Sequence, residues 1–221
     1  MSKRSTTGTC NLCGAVFDRT AMGQHLAACK GPAPVPGASR PLTSSFHLVV
    51  EASDRDAYWL HVAAPVDAPL SKLDDFLREI WLECCGHVSR FSIDGVEYWS
   101  DPDSSSEKSM RAPIGKVMGI GDKVSYEYDF GSTTKLALKV ARAFQHPGPA
   151  KNVQLLARNE APQIACNHCQ EGGLATQICT ECQWAGAGWL CAQCAKKHPC
   201  PADSFLPVVN SPRVGVCGFT G

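Results

Sequence analysis

Four Cys-x-x-Cys pairs constrain this chain more than any other feature, because two thiols at that spacing either close a metal site or work as a redox couple. The pairs are Cys10/Cys13, Cys166/Cys169, Cys179/Cys182 and Cys191/Cys194, the last followed by His198 and Cys200. A disulfide framework would scatter its cysteines; here most of the 13 are paired beside a histidine. No apolar run approaches the roughly 20 residues that span a bilayer, and Met1-Ser2-Lys3-Arg4 leads into Ser, Thr, Gly and Cys instead of an apolar signal core. The expectation is a cytoplasmic protein with no membrane partner, and in a reducing compartment the cysteine pattern favours metal over disulfide. Lys plus Arg number 21 and Asp plus Glu 21, with 44% of residues hydrophobic. That composition excludes a wholly disordered chain and a basic nucleic-acid coat.

Proline and glycine divide the chain of 221 residues. Residues 1–30 read as one unit, and residues 31–44, GPAPVPGASRPLTS, as a stiff proline-rich linker that would let the first unit search around the rest. A second break at Gln145-His146-Pro147-Gly148-Pro149-Ala150 bounds a central domain of residues 45–145, and residues 160–221 hold the cysteine-rich cluster and tail. In the central domain Phe46 to Ala52 and Tyr58 to Ala63 alternate as strands of a hairpin. Leu73, Phe76, Leu77, Ile80, Trp81 and Cys84 recur at helical spacing, with Ser71 as the expected N-cap. Further strands are expected at Val88 to Ile93, Val96 to Trp99, Lys123 to Phe130 and Thr133 to Phe144. The predicted fold class is α+β: a central β-grasp-like domain, one helix on a mixed or antiparallel sheet, flanked by two small zinc-binding modules.

In the first unit Cys10, Cys13, His25 and Cys29 lie at intervals that place two thiolates on a tight turn and the other two ligands four apart on one helix face. This pattern resembles the CCHC variety of the ββα zinc finger, with Phe17 and Met22 near the two small-core positions. Some 20 residues without metal have too little core to fold, which makes a bare redox pair the weaker reading. The helix segment Thr20-Ala21-Met22-Gly23-Gln24 offers small, neutral groups where a DNA-reading finger presents base-contacting side chains.

The carboxy-terminal ligands are Cys166, Cys169, Cys179, Cys182, Cys191, Cys194, His198 and Cys200, enough for two closed tetrahedral sites. A cross-brace would join the first pair with the third and the second with His198/Cys200; sequential knuckles would join neighbours. Order and spacing resemble the B-box family of protein-interaction modules, which favours the cross-brace, although Cys200 departs from that family's histidine-rich last pair, and His168 is a possible substitute ligand. With the first unit, three Zn²⁺ are expected. Residues 1–40 carry 5 basic and 1 acidic side chains and residues 160–221 carry 3 and 4, so with thiolates and metal counted the two segments come to +3 and −4. A negative cluster is a poor funnel for phosphates.

Tyr58-Trp59-Leu60-His61-Val62, Leu73-Asp74-Asp75-Phe76-Leu77, Gly86-His87-Val88-Ser89-Arg90-Phe91 and Tyr126-Glu127-Tyr128-Asp129-Phe130-Gly131 together resemble the plasmid pRi-type ORF-three-like family of mobile elements and bacterial chromosomes. The resemblance implies a compact α+β fold, a recurring zinc-binding tail ending like Asn210 to Gly218, and no defined activity. After Asp129-Phe130-Gly131 this chain has Ser132-Thr133-Thr134-Lys135 where many members carry Asp, Trp and His, and a Trp-Arg element after the second strand is absent.

No constellation of nucleophile, base and oxyanion donors is legible. Asp129-Phe130-Gly131 stands without the other kinase motifs. Cys84-Cys85 beside His87 has the composition of a nucleophile with its base, but Cys84 falls on the apolar helix stripe as a small core residue would. His47 and His61 read as core or rim histidines, and Cys217 is left over. The functional expectation is a non-enzymatic zinc-binding adaptor with a protein partner, associated with mobile elements. The alternative is a nucleic-acid-associated regulator using the amino-terminal finger.

Overall fold

A computed structural model describes residues 6–29, 42–147, 151–169 and 172–221. Most of the proline-rich linker and residues 148–150 of the second break lie outside these. The chain runs β1 (Thr7–Cys10), β2 (Val16–Asp18), α1 (Arg19–Ala28), β3 (Leu42–Ala52), β4 (Trp59–Pro65), α2 (Leu70–Leu77), a π-helical turn (Arg78–Leu82), β5 (Ser89–Ile93), β6 (Val96–Trp99), β7 (Lys108–Ser109), α3 (Ile114–Val117), β8 (Lys123–Tyr128), β9 (Thr134–Pro147) and β10 (Gln154–Asn159). After a 161–176 segment come β11 (Gln177–Cys179), β12 (Trp189–Leu190), α4 (Ala192–Ala195) and β13 (Phe205–Pro207). The residues fall into two compact units: Met1–Arg78 with His87–Glu160, and Glu79–Gly86 with Ala161–Gly221.

The first unit overturns the expectation of one helix on a sheet. Ten strands join in the order β2-β1-β10-β4-β3-β9-β8-β5-β6-β7, all antiparallel except β6 beside β7, and the described helices are short. The reason is recruitment from outside the expected domain. β1 pairs with β10 and β10 with β4, so strands from residues 7–18 and 154–159 extend the edge that β4 would otherwise present. The central β3–β4 hairpin forms as expected, with Val50 opposite Leu60 and β9 on the other side of β3. Every residue of β4 is buried, which suits its nearly unbroken apolar run Trp59-Leu60-His61-Val62-Ala63-Ala64. The β5–β6 turn takes the tight two-residue form, with Asp94 and Gly95 at φ 47° and 76°.

Helix α2 starts one residue before the expected Ser71 cap, and its cap is not a side chain. The Leu70 and Ser71 N–H groups instead donate to the carbonyls of Ala112 and Met110, which satisfies the orphan donors of its first turn. Buried Asp74 anchors it: its Oδ1 accepts from Ser89 Oγ (2.6 Å) on β5 and Tyr126 Oη (2.7 Å) on β8. Burial raises the Asp74 carboxyl pKa, and these hydrogen bonds oppose the shift. Beyond Leu77 the helical periodicity passes into the π turn, where Trp81 and Leu82 are the buried positions.

In the second unit, β11 is the middle strand of a three-stranded antiparallel sheet between β12 and β13. One of its buried clusters is built around cysteine: Cys179, Leu190 and Ala195, with Cys182, Cys194, Cys200 and Phe205 packed against them. Trp81, Leu82, Ile178, Val214 and Phe219 of the same unit are buried as well. No described helix is long and apolar enough to cross a membrane.

Candidate metal centres

Residues 7–29 form a ββα unit whose ligands converge. Cys10 ends β1, a turn closed by Gly14 N–H to Cys10 O (2.8 Å) carries Cys13, and α1 with the residue after it carries His25 and Cys29. The helix starts at Asp18, whose Oδ1 accepts from the N–H groups of Thr20 and Ala21 at 2.9 Å each. One ligand atom from each of Cys10, Cys13, His25 and Cys29 lies within 4.8 Å of the others, and Cys13 Sγ is 3.2 Å from His25 Nε2. Phe17 stacks on the His25 ring at 4.6 Å and holds its plane. Burial raises the Cys10 thiol pKa, whereas Cys13 is lowered, first by the N–H of Ala15.

This unit is seated on the sheet and not held away from it. Met22 and Leu26 of α1 pack with Cys10, Trp59, Ala63, Leu156 and Ala157 in one buried cluster. Three polar groups hold the helix backbone. Arg142 Nη2 donates to Leu26 O (2.6 Å), and Arg142 Nε donates to His47 Nδ1 (3.4 Å). His47 Nε2 and His61 Nδ1 are 2.8 Å apart, and His61 Nε2 is 3.3 Å from Arg19 O. Because the guanidinium only donates and the carbonyl only accepts, the chain runs one way, with both imidazoles neutral and protonated on Nε2. The two strand histidines therefore act as a polar core link, consistent with their sequence reading.

The carboxy-terminal ligands converge in cross-braced order. Cys179, Cys182, His198 and Cys200 form one group, in which Cys182 Sγ is 3.3 Å from His198 Nε2 and 3.6 Å from Cys200 Sγ. Cys166, Cys191 and Cys194 form another, so the first pair meets the third. Cys169, expected as that group's fourth ligand, is not within its tight set, although its Sγ and that of Cys191 both border Gly173. His168 Nε2 donates to Ala187 O (2.9 Å), and His168 does not join a group. Hydrogen bonding to Cys182 is the largest of the effects that push the Cys200 thiol up to about 12, and Cys191 does the same for Cys194, also to about 12. The proton is shared unevenly in each group: against their burial, backbone hydrogen bonds lower Cys166 to about 7 and lower Cys179, while Cys194 and Cys200 beside them hold their protons.

The donor spacing fits a tetrahedral ion. With metal–sulfur bonds of about 2.3 Å, neighbouring sulfurs of a tetrahedron stand about 3.7 Å apart, close to the 3.6 Å between Cys182 and Cys200 and well beyond a disulfide bond. Soft thiolate and imidazole donors without carboxylates suit zinc-like metals over magnesium or calcium.

A fourth group, not expected from sequence, brings together Cys84, Cys85 and Cys217 with His87 close by in the chain. Its signal was available: ten of the 13 cysteines are spoken for by the three expected sites, and the three left over come with a histidine. Hydrogen bonds with Cys84 and then Cys217 push the Cys85 thiol up to about 12, the opposite of an activated nucleophile. Asp129, at φ 64°, folds its own turn by accepting from Gly131 and Ser132 N–H, and its Oδ2 lies 3.6 Å from His87 Nε2.

No family model and no curated protein matches the chain. A crystal structure of a protein of unknown function, MM3350 from Methanosarcina mazei Go1, is similar at a TM-score of 0.45 and 12% identity, covering 51% of this chain and 67% of that chain. Among the described residues, four Cys/His groups able to hold a metal ion, one of them with three ligands, are what the geometry establishes.

Proposed function

We propose that the protein is a non-enzymatic zinc-binding adaptor whose closed Cys/His sites hold protein-recognition surfaces in shape. The observation that carries this reading is the cross-braced pair of groups in the second unit, where the ligands themselves make up most of one buried cluster. The Cys179/Cys182/His198/Cys200 group is a full all-protein donor set of the kind that makes a structural site, and in so small a unit metal binding is coupled to folding. Trp184 follows Cys182 by two residues on a short helical turn and is 80% exposed, a large apolar group displayed by the metal-held loop. The exposed residues of α1, Thr20, Gln24, Ala27 and Ala28, carry no cation, which favours a protein over a phosphate backbone. The association with mobile elements rests on the family resemblance of the central segment.

The +3 charge of residues 1–40 supports the second reading, a nucleic-acid-associated regulator. A pull-down with the full chain from its source cells, with and without nuclease and at low and high salt, separates the two. Specific proteins retained after both treatments, and lost with Trp184→Ala, are the expected result. Recovery of nucleic acid alone, abolished by nuclease or by salt, would replace the adaptor with the regulator.

A further inference from the structure

We propose that Cys84, Cys85 and Cys217 supply the ligands of a fourth zinc site that staples the carboxy-terminal tail to the segment leaving the π turn. It rests on the same metal chemistry as the three sites above but not on the adaptor role. The three sulfurs belong to one compact unit although Cys85 and Cys217 are 132 residues apart. Cys85 Sγ stands 3.4 Å from Cys84 Sγ and 3.5 Å from Cys217 Sγ, close to the edges of a tetrahedron around a zinc ion and far from the length of a bonded disulfide.

The surrounding chain is built to present these donors. Ser211 Oγ donates to Trp81 O (2.6 Å) and accepts from Arg213 N–H (2.9 Å), and both residues are buried. The tail then turns through Val214 N–H to Ser211 O and Val216 N–H to Arg213 O, while Gln183 Nε2 donates to Gly215 O (2.7 Å). Cys217 ends this path at φ 49°, a left-handed conformation that is costly for a residue other than glycine. Charge is matched as well. Three thiolates and one Zn²⁺ leave one negative charge, and the fully buried Arg213 brings one positive charge with Nη2 3.4 Å from Cys84 Sγ. A guanidinium so placed favours the thiolate form the metal requires. Each zinc-bound sulfur loses its proton to solvent on binding, and no electron is transferred.

The test is native mass spectrometry of the full chain, purified without added reductant or chelator, beside a Cys85→Ser/Cys217→Ser double variant. The expected result is one zinc fewer in the variant, whatever number the other groups hold, so failure of those sites and failure of this one are distinguishable. Equal counts, or a wild-type chain lighter by the two hydrogens of a Cys85–Cys217 disulfide, would overturn the proposal. Should the variant fold poorly, alkylation mapping of the wild-type chain reads the same site. Cys85 and Cys217 are exposed, so a reagent reaches both; addition of a chelator should speed the alkylation of both by at least about tenfold. Rates unchanged by chelator would sink the site.

Discussion

The His47–His61 pair shows how a residue-level reading gains chemistry from its neighbours. Sequence placed both in strands and gave each a bland core role; only the fold shows that they face each other at 2.8 Å and link Arg142 to the backbone of α1. Burial, with the charges of His61 and Arg142, lowers His47 to about 3, and burial takes His61 to about 4 despite its hydrogen bond to Arg19 O. Both lie below the value of 6.5 for a free histidine, so the unfolded chain takes up protons first. The stability these neutral rings carry is complete above about pH 6.5 and drains as pH falls toward the folded values. At pH 5 the loss is about 2 kcal/mol per histidine. Urea unfolding of wild type and His47→Leu between pH 7 and 5 checks this: the pH slope should be about half as steep in the variant, and an unchanged slope would show that the pair does not titrate in this way. Cysteines divide differently at this scale. Spacing named those that sit in pairs, whereas Cys84, Cys85 and Cys217 needed tertiary proximity.

At the scale of elements, hairpins were legible and long-range pairing was not. β3 with β4, β5 with β6 and β8 with β9 each have a local turn and a period-two pattern. β10 shows neither. Its Leu155-Leu156 doublet breaks alternation, and the β10–β4 register shifts between Leu155 and Ala157, so the pattern of a regular strand is absent from the sequence. Nothing local in Thr7–Cys10 announces a partner some 150 residues away, and the finger therefore read as a tethered module. Gly8 marks the closeness of the seat: a Cβ there would stand 2.3 Å from Arg158 O and 2.4 Å from the Trp59 ring. Gly8→Ala must displace backbone, at a cost of about 1–3 kcal/mol as for other overpacked sites. A thermal melt should show this as a clear fall in Tm, accompanied by weaker metal retention at Cys10, Cys13, His25 and Cys29. A melt identical to wild type would mean that β1 does not lie against Trp59. The α2 stripe was legible to Leu77 and again at Trp81, but a π turn inserts an extra residue per turn, so Leu82, outside the stripe, is buried while Ile80 and Cys84 are only half-buried.

Across the whole molecule two ways of making a core coexist. The ten-stranded sheet buries large side chains such as Trp59, Tyr126, Tyr128 and Phe91 and has apolar substance of its own. In the second unit Cys179, Leu190 and Ala195 pack against three further cysteines and Phe205, a cluster that depends on whatever joins the sulfurs, beside buried Trp81, Ile178, Val214 and Phe219. That contrast was visible in composition, since cysteine pairs crowd the last 60 residues while the strand signals lie before them; the size of the sheet was not, because its outer strands come from segments that read as flanking modules. X-ray absorption at the zinc edge, on the full chain purified without added metal or chelator, tests the central claim most directly. The account predicts bound zinc with a first shell of sulfur at about 2.3 Å and a minority of imidazole nitrogen, four ligands and no bound water. A chain free of zinc, or a shell rich in oxygen with an open position, would contradict it.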